Sequence, residues 1–230
     1  MNSAGRTRGG EAYEALTFDC YGTLIDWYGG VRTGARKCAA LADLDIERFV
    51  RDRDAADREL ILGPYRPYSE IVAESARRAA ALQRRELDQD SARAFAAGMT
   101  EWPPFEESRD ALARLEKKFR LGILSNVDTQ VLAASVALLG AHFEVLVTAQ
   151  RVRSYKPGPA HWHRALAELD LPAARVLHVG CSLFHDMGPA HALGFPTAFV
   201  DREREGLGVG DRATFLVPDL NTLCELLLES

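Results

Sequence analysis

Cysteine is scarce in this 230-residue chain: Cys20, Cys38, Cys181 and Cys224, with no CxxC pair. That count is too low for a disulfide scaffold. Reduced thiols are the simplest reading, and a cytoplasmic location is the expectation. An excess of positive charge is also lacking, since the formal net charge is -5. Non-specific binding of nucleic acid or of an anionic membrane needs a positive field, so neither partner is expected. A small anionic substrate remains compatible, because a pocket can be basic on an acidic protein. Long apolar runs are missing. Stretches such as residues 131–141 are too short to span a bilayer. The first residues carry arginines with no apolar segment after them, so no secretory signal is read there, and residues 1–13 are expected to form a frayed tail. There is no internal repeat and no low-complexity segment.

What is present is an ordinary globular composition, 47% hydrophobic and 27% charged. The length suffices for one core domain plus a smaller insert. Residues 15–18 are a short apolar run of strand formers that stops at Asp19-Cys20-Tyr21-Gly22-Thr23. From about residue 30 to 98, leucine, alanine and charged residues recur at helical spacing, as in 46–62 and 68–87. Gly63-Pro64 and Arg66-Pro67 punctuate these helices. This reads as an insert of about four helices, and Trp102-Pro103-Pro104-Phe105 marks a stiff return to the main domain. Strands at 121–124, 145–147, 176–179 and 197–200 then alternate with helices at 129–139, 159–169, 186–193 and 220–228. Such alternation implies an α/β fold, with a buried parallel sheet covered on both faces. The expected division is a core of 14–28 and 104–230 with a helical insert of 29–103.

Four strand ends carry polar residues that a core would not select. They are Asp19, Ser125-Asn126, Lys156, and the loop from Gly180 to Asp186. In a parallel sheet these ends share one edge, where open α/β sheets place ligands. The set suits nucleophilic displacement. A carboxylate such as Asp19 can attack an electrophilic centre and form an ester or acyl phosphate. Lys156 can hold that carboxylate ionised. Thr23, Ser125 and Asn126 can donate hydrogen bonds to an anionic substrate group. Asp186 can orient a water, or hold a metal together with Asp19.

The ordered segments Phe18-Asp19-Cys20-Tyr21-Gly22-Thr23-Leu24, Leu124-Ser125-Asn126, Tyr155-Lys156-Pro157 and Gly180 through Asp186 resemble the four motifs of the haloacid dehalogenase superfamily. The resemblance covers nearly the whole chain, and four motifs in order with a helical insert are specific to that superfamily. It implies a Rossmann-like core closed by a helical cap. Phosphatase members carry a general-acid aspartate two residues after the nucleophile, where this chain has Tyr21. They also open the fourth motif with an aspartate, where this chain has Cys181, a poor ligand for Mg²⁺. The pattern instead resembles the 2-haloacid dehalogenase branch, which works without a metal. That branch implies dehalogenation of short 2-haloalkanoic acids to 2-hydroxy acids through an ester on Asp19, with catalytic roles for Thr23, Ser125, Lys156 and Asp186. It also implies a cap arginine near the leaving halide, matched here by Arg51, with Arg53 and Arg58 as rivals. Trp162 falls where the branch has an aromatic hydroxyl, and Leu183 where asparagine is common. Tyr21, Asn126, Arg51, Trp162 and Ser182 are the expected substrate contacts. No cofactor is expected, and a homodimer is the assembly the resemblance suggests.

Plainer readings stand beside these. Asp19 and Asp186 also suit turn and helix caps. Most arginines of the insert belong on a solvated face. Cys181 reads as a small buried residue and His185 as a hydrogen-bonded structural histidine. Tyr65, Tyr68 and Trp162 read as packing. Two other functions fit the same frame: a Mg²⁺-dependent phosphatase for small esters, and a catalytically silent binding protein. The joint presence of Asp19, Ser125, Lys156 and Asp186 argues against the last.

Overall fold

A computed structural model describes residues 13–204, 206–208 and 210–228. The expected tail at 1–12 lies outside them. Tyr13, expected in that tail, is instead buried, its ring edge-on to Phe215 at 6.5 Å. The strands are β1 (Ala15–Phe18), β2 (Arg120–Ser125), β3 (Val145–Thr148), β4 (Val176–Gly180), β5 (Thr197–Val200) and β6 (Phe215–Val217). They form one parallel sheet in the order β3-β2-β1-β4-β5-β6. The α/β parallel fold read from the sequence is the fold observed. β6 is missed by sequence reading, because three residues with one exposed side chain carry no clear alternation.

β1 lies between β2 and β4, so the strand order reverses there. A crevice opens at the carboxyl ends of strands at such a point. Successive side chains along each strand face opposite sides of the sheet. Leu16, Phe18, Ile123 and Val179 enter the larger apolar core. Ala15, Leu124 and Val176 enter a smaller one.

Between β1 and β2 lie α1 (Trp27–Lys37), α2 (Ile46–Ile61), α3 (Tyr68–Leu82), α4 (Gln89–Ala97) and α5 (Ser108–Leu115). α1 begins two residues before the expected start of the insert, because Asp26 caps it by accepting from the Gly29 amide at 2.9 Å. α3 stops at Leu82 rather than continuing to 87, as the chain turns through Arg84 at a positive φ of 58°. Downstream come α6 (Thr129–Leu139), α7 (Ala149–Val152), α8 (Ala160–Leu169), α9 (Gly188–Ala192) and α10 (Leu220–Leu228). The helix expected over 186–193 is in fact a π-helical turn, Leu183–Met187, followed by α9. Residues of α5, α6 and α10 pack into the larger core, and Trp162, Ala165 and Leu169 of α8 into the smaller.

The inserted helices are tied to the sheet edge at one end of α3. Asp128, just past β2, accepts from the Tyr68 amide through Oδ1 and the Ser69 amide through Oδ2, both at 2.9 Å. These are unpaired amides at a helix start, so the carboxylate both satisfies them and meets the positive end of the helix dipole. The Tyr155 hydroxyl donates to the Arg66 carbonyl at 2.8 Å, and its ring packs against Tyr65 and Tyr68. No helix among the described residues is long and apolar enough to cross a membrane.

Candidate active site

Asp19 follows β1 directly and its amide donates to the Val179 carbonyl, so the sheet itself fixes its position. The next residues turn sharply. Gly22 has φ of +93°, and a Cβ there would lie 2.7 Å from the Cys181 sulfur, so only glycine fits. The turn returns Thr23 beneath the carboxylate, where its hydroxyl donates to Asp19 Oδ2 at 3.0 Å. Arg202, after β5, supports the turn from outside by donating to the Thr23 carbonyl at 2.7 Å. Its guanidinium stacks on Phe105 at 3.6 Å and pairs with Glu107 at 2.7 Å.

Lys156 is only 1% exposed. Its ammonium donates to Asp19 Oδ1 at 2.8 Å, to Asp186 Oδ1 at 2.7 Å and to the Leu124 carbonyl at 2.8 Å. An ammonium has three donors, and each is used. Asn126 fixes the backbone of the lysine from both sides. Its Oδ1 accepts from the Lys156 amide at 2.7 Å and its Nδ2 donates to the Lys156 carbonyl at 3.0 Å. Ser125 is buried and lines the cavity, and its carbonyl meets His161 Nε2 at 3.2 Å.

Asp186 is fully buried within the π-helical turn. Oδ1 is shared by Lys156 and by His178 Nε2, the latter at 3.3 Å, while Oδ2 has no protein partner. A Cβ at Gly180 would lie 2.8 Å from this carboxylate, so glycine makes the room it occupies. Burial opposes ionisation of Asp186, but Lys156 and His178 outweigh it and hold the carboxyl below the usual range. In Asp19 the balance differs. Burial raises its pKa, with the charge of Asp186 adding to it, while Lys156 and Thr23 counter. The desolvated lysine is held protonated by both carboxylates, above its ordinary value.

These groups open onto a cavity of about 480 Å³ between the sheet edge and the first inserted helices. Asp19, Ser125, Lys156 and Asp186, from four distant segments, all line it. Of the expected substrate contacts, Tyr21, Asn126 and Ser182 line it too, whereas Arg51 and Trp162 are placed elsewhere. Arg51 is exposed on the outer face of α2. The buried face of that helix is Phe49, Val50, Arg53, Ala56, Asp57 and Ile61, and a residue two positions from Arg53 points away from it. Arg53 is buried against Asp57 at 3.1 Å, with its guanidinium over the Trp27 ring. Arg58, paired with Asp54 at 2.9 Å, is the α2 arginine that lines the cavity. Trp162 does not line it. The sheet-facing side of α8 carries Trp162 into the smaller core, where it is fully buried. Asn126 borders the cavity, but both ends of its amide are committed to Lys156. Ser182 also borders it, but its hydroxyl accepts from the His185 amide at 3.0 Å and pairs with His185 Nδ1 at 3.1 Å, as a cap. The Tyr21 hydroxyl pairs with Ser135 at 2.7 Å, and burial raises its pKa. Burial also pushes the His185 pKa down to about 4 and the Cys181 thiol up to about 12. Neither is charged at neutral pH.

Sequence reading missed Thr17, His178, Asp128 and Arg202. The signal for the first two was available: a polar residue inside each of two apolar strand runs.

A sequence profile described as haloacid dehalogenase-like hydrolase matches residues 13–194. The chain belongs to that family of hydrolases. It is 25% identical over 219 residues to haloacetate dehalogenase H-2 of Moraxella sp. (strain B), covering 93% of this chain and 97% of that protein. It is likewise 25% identical to (S)-2-haloacid dehalogenase 2 of Pseudomonas sp. (strain CBS-3), covering 92% and 94%. Among solved structures, L-2-haloacid dehalogenase from Xanthobacter autotrophicus with chloropropionic acid covalently bound superposes with a TM-score of 0.79. The identity is 21%, covering 94% of this chain and 98% of that one.

Proposed function

We propose that this hydrolase cleaves the carbon–halogen bond of short 2-haloalkanoic acids, through an ester on Asp19, to give 2-hydroxy acids. The observation that carries the reading is the single ammonium of Lys156 bridging Asp19 and Asp186. It keeps a buried carboxylate available as a nucleophile in a site that a small anion can enter. The names of the two 25%-identical relatives support the same chemistry.

In this reading Asp19 attacks the carbon bearing the halogen. A carbon–oxygen bond forms, the carbon–halogen bond breaks, and halide leaves with the electron pair. Thr23 and Lys156 fix the orientation of the attacking carboxylate. Ser125 serves the substrate carboxylate, and Arg58, the α2 arginine in the cavity lining, serves the departing halide. Water then attacks the Asp19 carbonyl carbon. Asp186 takes a proton from that water and returns it to the leaving alkoxide. Asp19 regains a carboxyl group whose proton passes to solvent, so each turnover releases one proton and one halide.

The residues present do not fit Mg²⁺. The space between Asp19 and Asp186 already holds the Lys156 ammonium, and the next polar position, Cys181, offers sulfur where Mg²⁺ prefers oxygen. Among the described residues no cluster of three acidic, histidine or cysteine side chains could hold a metal. The phosphatase alternative would need that cation.

The test is halide release from chloroacetate and 2-chloropropionate in the presence of a chelator, against phosphate release from an aryl phosphate with Mg²⁺. Chelator-resistant halide release supports the reading. Phosphate release that depends on Mg²⁺, with no halide release, replaces it with the phosphatase.

A further inference from the structure

His178 sits in the middle of β4, a central strand whose other side chains are apolar. It is fully buried, and it does not line the cavity where the substrate would bind. Its register partner on β1 is Thr17, also fully buried. The Thr17 hydroxyl lies 3.0 Å from His178 Nδ1, and His178 Nε2 lies 3.3 Å from Asp186 Oδ1. The ring stands edge-on to Trp162, centroids 5.5 Å apart. Two polar residues have thus been spent on the apolar face of a sheet, where each unpaired group carries a cost. Their combined effect is a hydrogen-bonded relay that ends on one carboxylate oxygen.

We propose that His178, backed by Thr17, is a positioning residue for the hydrolytic half of the reaction. The inference rests on the function proposed above. Asp186 as a carboxylate has only acceptors, so Nε2 carries the proton and Nδ1 receives the Thr17 hydroxyl. Oδ1 is then held by two donors, Nε2–H and the Lys156 ammonium. Two donors on one oxygen fix the plane of the carboxyl group. Gly180 leaves space for the other oxygen, and Oδ2 is the one left without a protein partner. The carboxylate held in this plane, which lines the cavity, takes the proton from the attacking water. Water oxygen bonds to the Asp19 carbonyl carbon, the ester bond to the substrate oxygen breaks, and the departing oxygen receives the proton from Asp186. The first half, halide displacement by Asp19, does not use Asp186 as a base. Loss of His178 therefore slows ester hydrolysis more than ester formation.

The experiment follows halide release by rapid quench with 2-chloropropionate, alongside intact-protein mass spectrometry, for wild type, His178→Phe, His178→Gln and Thr17→Val. The expected result for His178→Phe is a burst of about one halide per enzyme, then a steady state slowed roughly tenfold to a hundredfold, with the ester mass on the protein. Gln, whose side-chain amide can donate in place of Nε2–H, restores part of the rate. Thr17→Val shifts behaviour in the same direction by less. A merely structural role lowers burst and steady state together, with no ester accumulating, and that result overturns the inference. So does a His178→Phe variant that turns over like wild type. Wild type releasing no halide overturns the proposed function and this inference together, which separates the two failures.

Discussion

Replacing Lys156 by methionine removes the cation from between two buried carboxylates while keeping most of the side-chain volume. Lys156 makes all three of its hydrogen bonds to buried acceptors, two of them Asp19 and Asp186. Breaking a buried ion pair from one side costs about 3–5 kcal/mol, because the other charge is left uncompensated. For a chain of this length each kcal/mol moves Tm by roughly 2–4 °C, so the expected fall is about 6–20 °C. The pH dependence has a definite sign. Without Lys156, burial pushes both carboxylates toward their protonated forms. A carboxylate with a raised folded pKa gains stability on protonation, so the deficit is full above that pKa and shrinks as pH falls through it. Asp19 then loses both the cation that favours its charged form and the group that orients it, and halide release falls by at least about a hundredfold. Differential scanning calorimetry across pH, with halide assays, reads both effects. Adding Asp186→Asn to Lys156→Met removes one stranded charge and restores part of the Tm without restoring activity. A Lys156→Met protein with wild-type Tm, flat across pH, would refute the claim that this ammonium neutralises the pair.

Asn126→Ala strips the two hydrogen bonds that hold the Lys156 backbone; kcat is expected to fall with KM little changed, at a stability cost of about 1–3 kcal/mol, measured by steady-state kinetics and urea unfolding. Asp128→Ala removes the cap of α3 and costs about 1 kcal/mol, with faster hydrogen exchange at the Tyr68 and Ser69 amides. Because burial raises the Asp19 pKa, the acid limb of kcat/KM lies above the range of an ordinary aspartate, and Thr23→Val, which removes a hydrogen bond that favours the charged form, moves it higher still. Burial pushes the Cys181 thiol up to about 12, so activity survives treatment with iodoacetamide at neutral pH even though this residue lines the cavity.

The sheet was legible because β1, β2 and β4 are short apolar runs ending in polar residues. That pattern marks both a buried parallel strand and the edge where chemistry gathers. The helical insert was legible from its spacing, but its contacts were not. Arg51 illustrates why. Motif spacing names a segment, whereas the face of a helix depends on a register that a difference of two residues reverses, and α2 carries several arginines. Trp162 and Asn126 show a related limit of reading along the chain. Their positions along the chain are close to the site, but one points to the far core and the other is consumed in holding Lys156. His178 stands out as a polar residue inside an apolar strand run, but its role went unread because its partners appear only once the sheet is assembled: Thr17 is far away in sequence and Asp186 lies beyond the turn that follows β4. The same holds for Asp128, whose role appears only once α3 is docked against it.

The central claim is a covalent ester on Asp19, and a single-turnover reaction in water enriched in heavy oxygen tests it most directly. With enzyme in excess over 2-chloropropionate, the product should carry an unlabelled hydroxyl oxygen taken from Asp19. The label should appear in the peptide containing that residue. Label entering the product directly, with none in Asp19, would show that water attacks the substrate itself and would contradict the account.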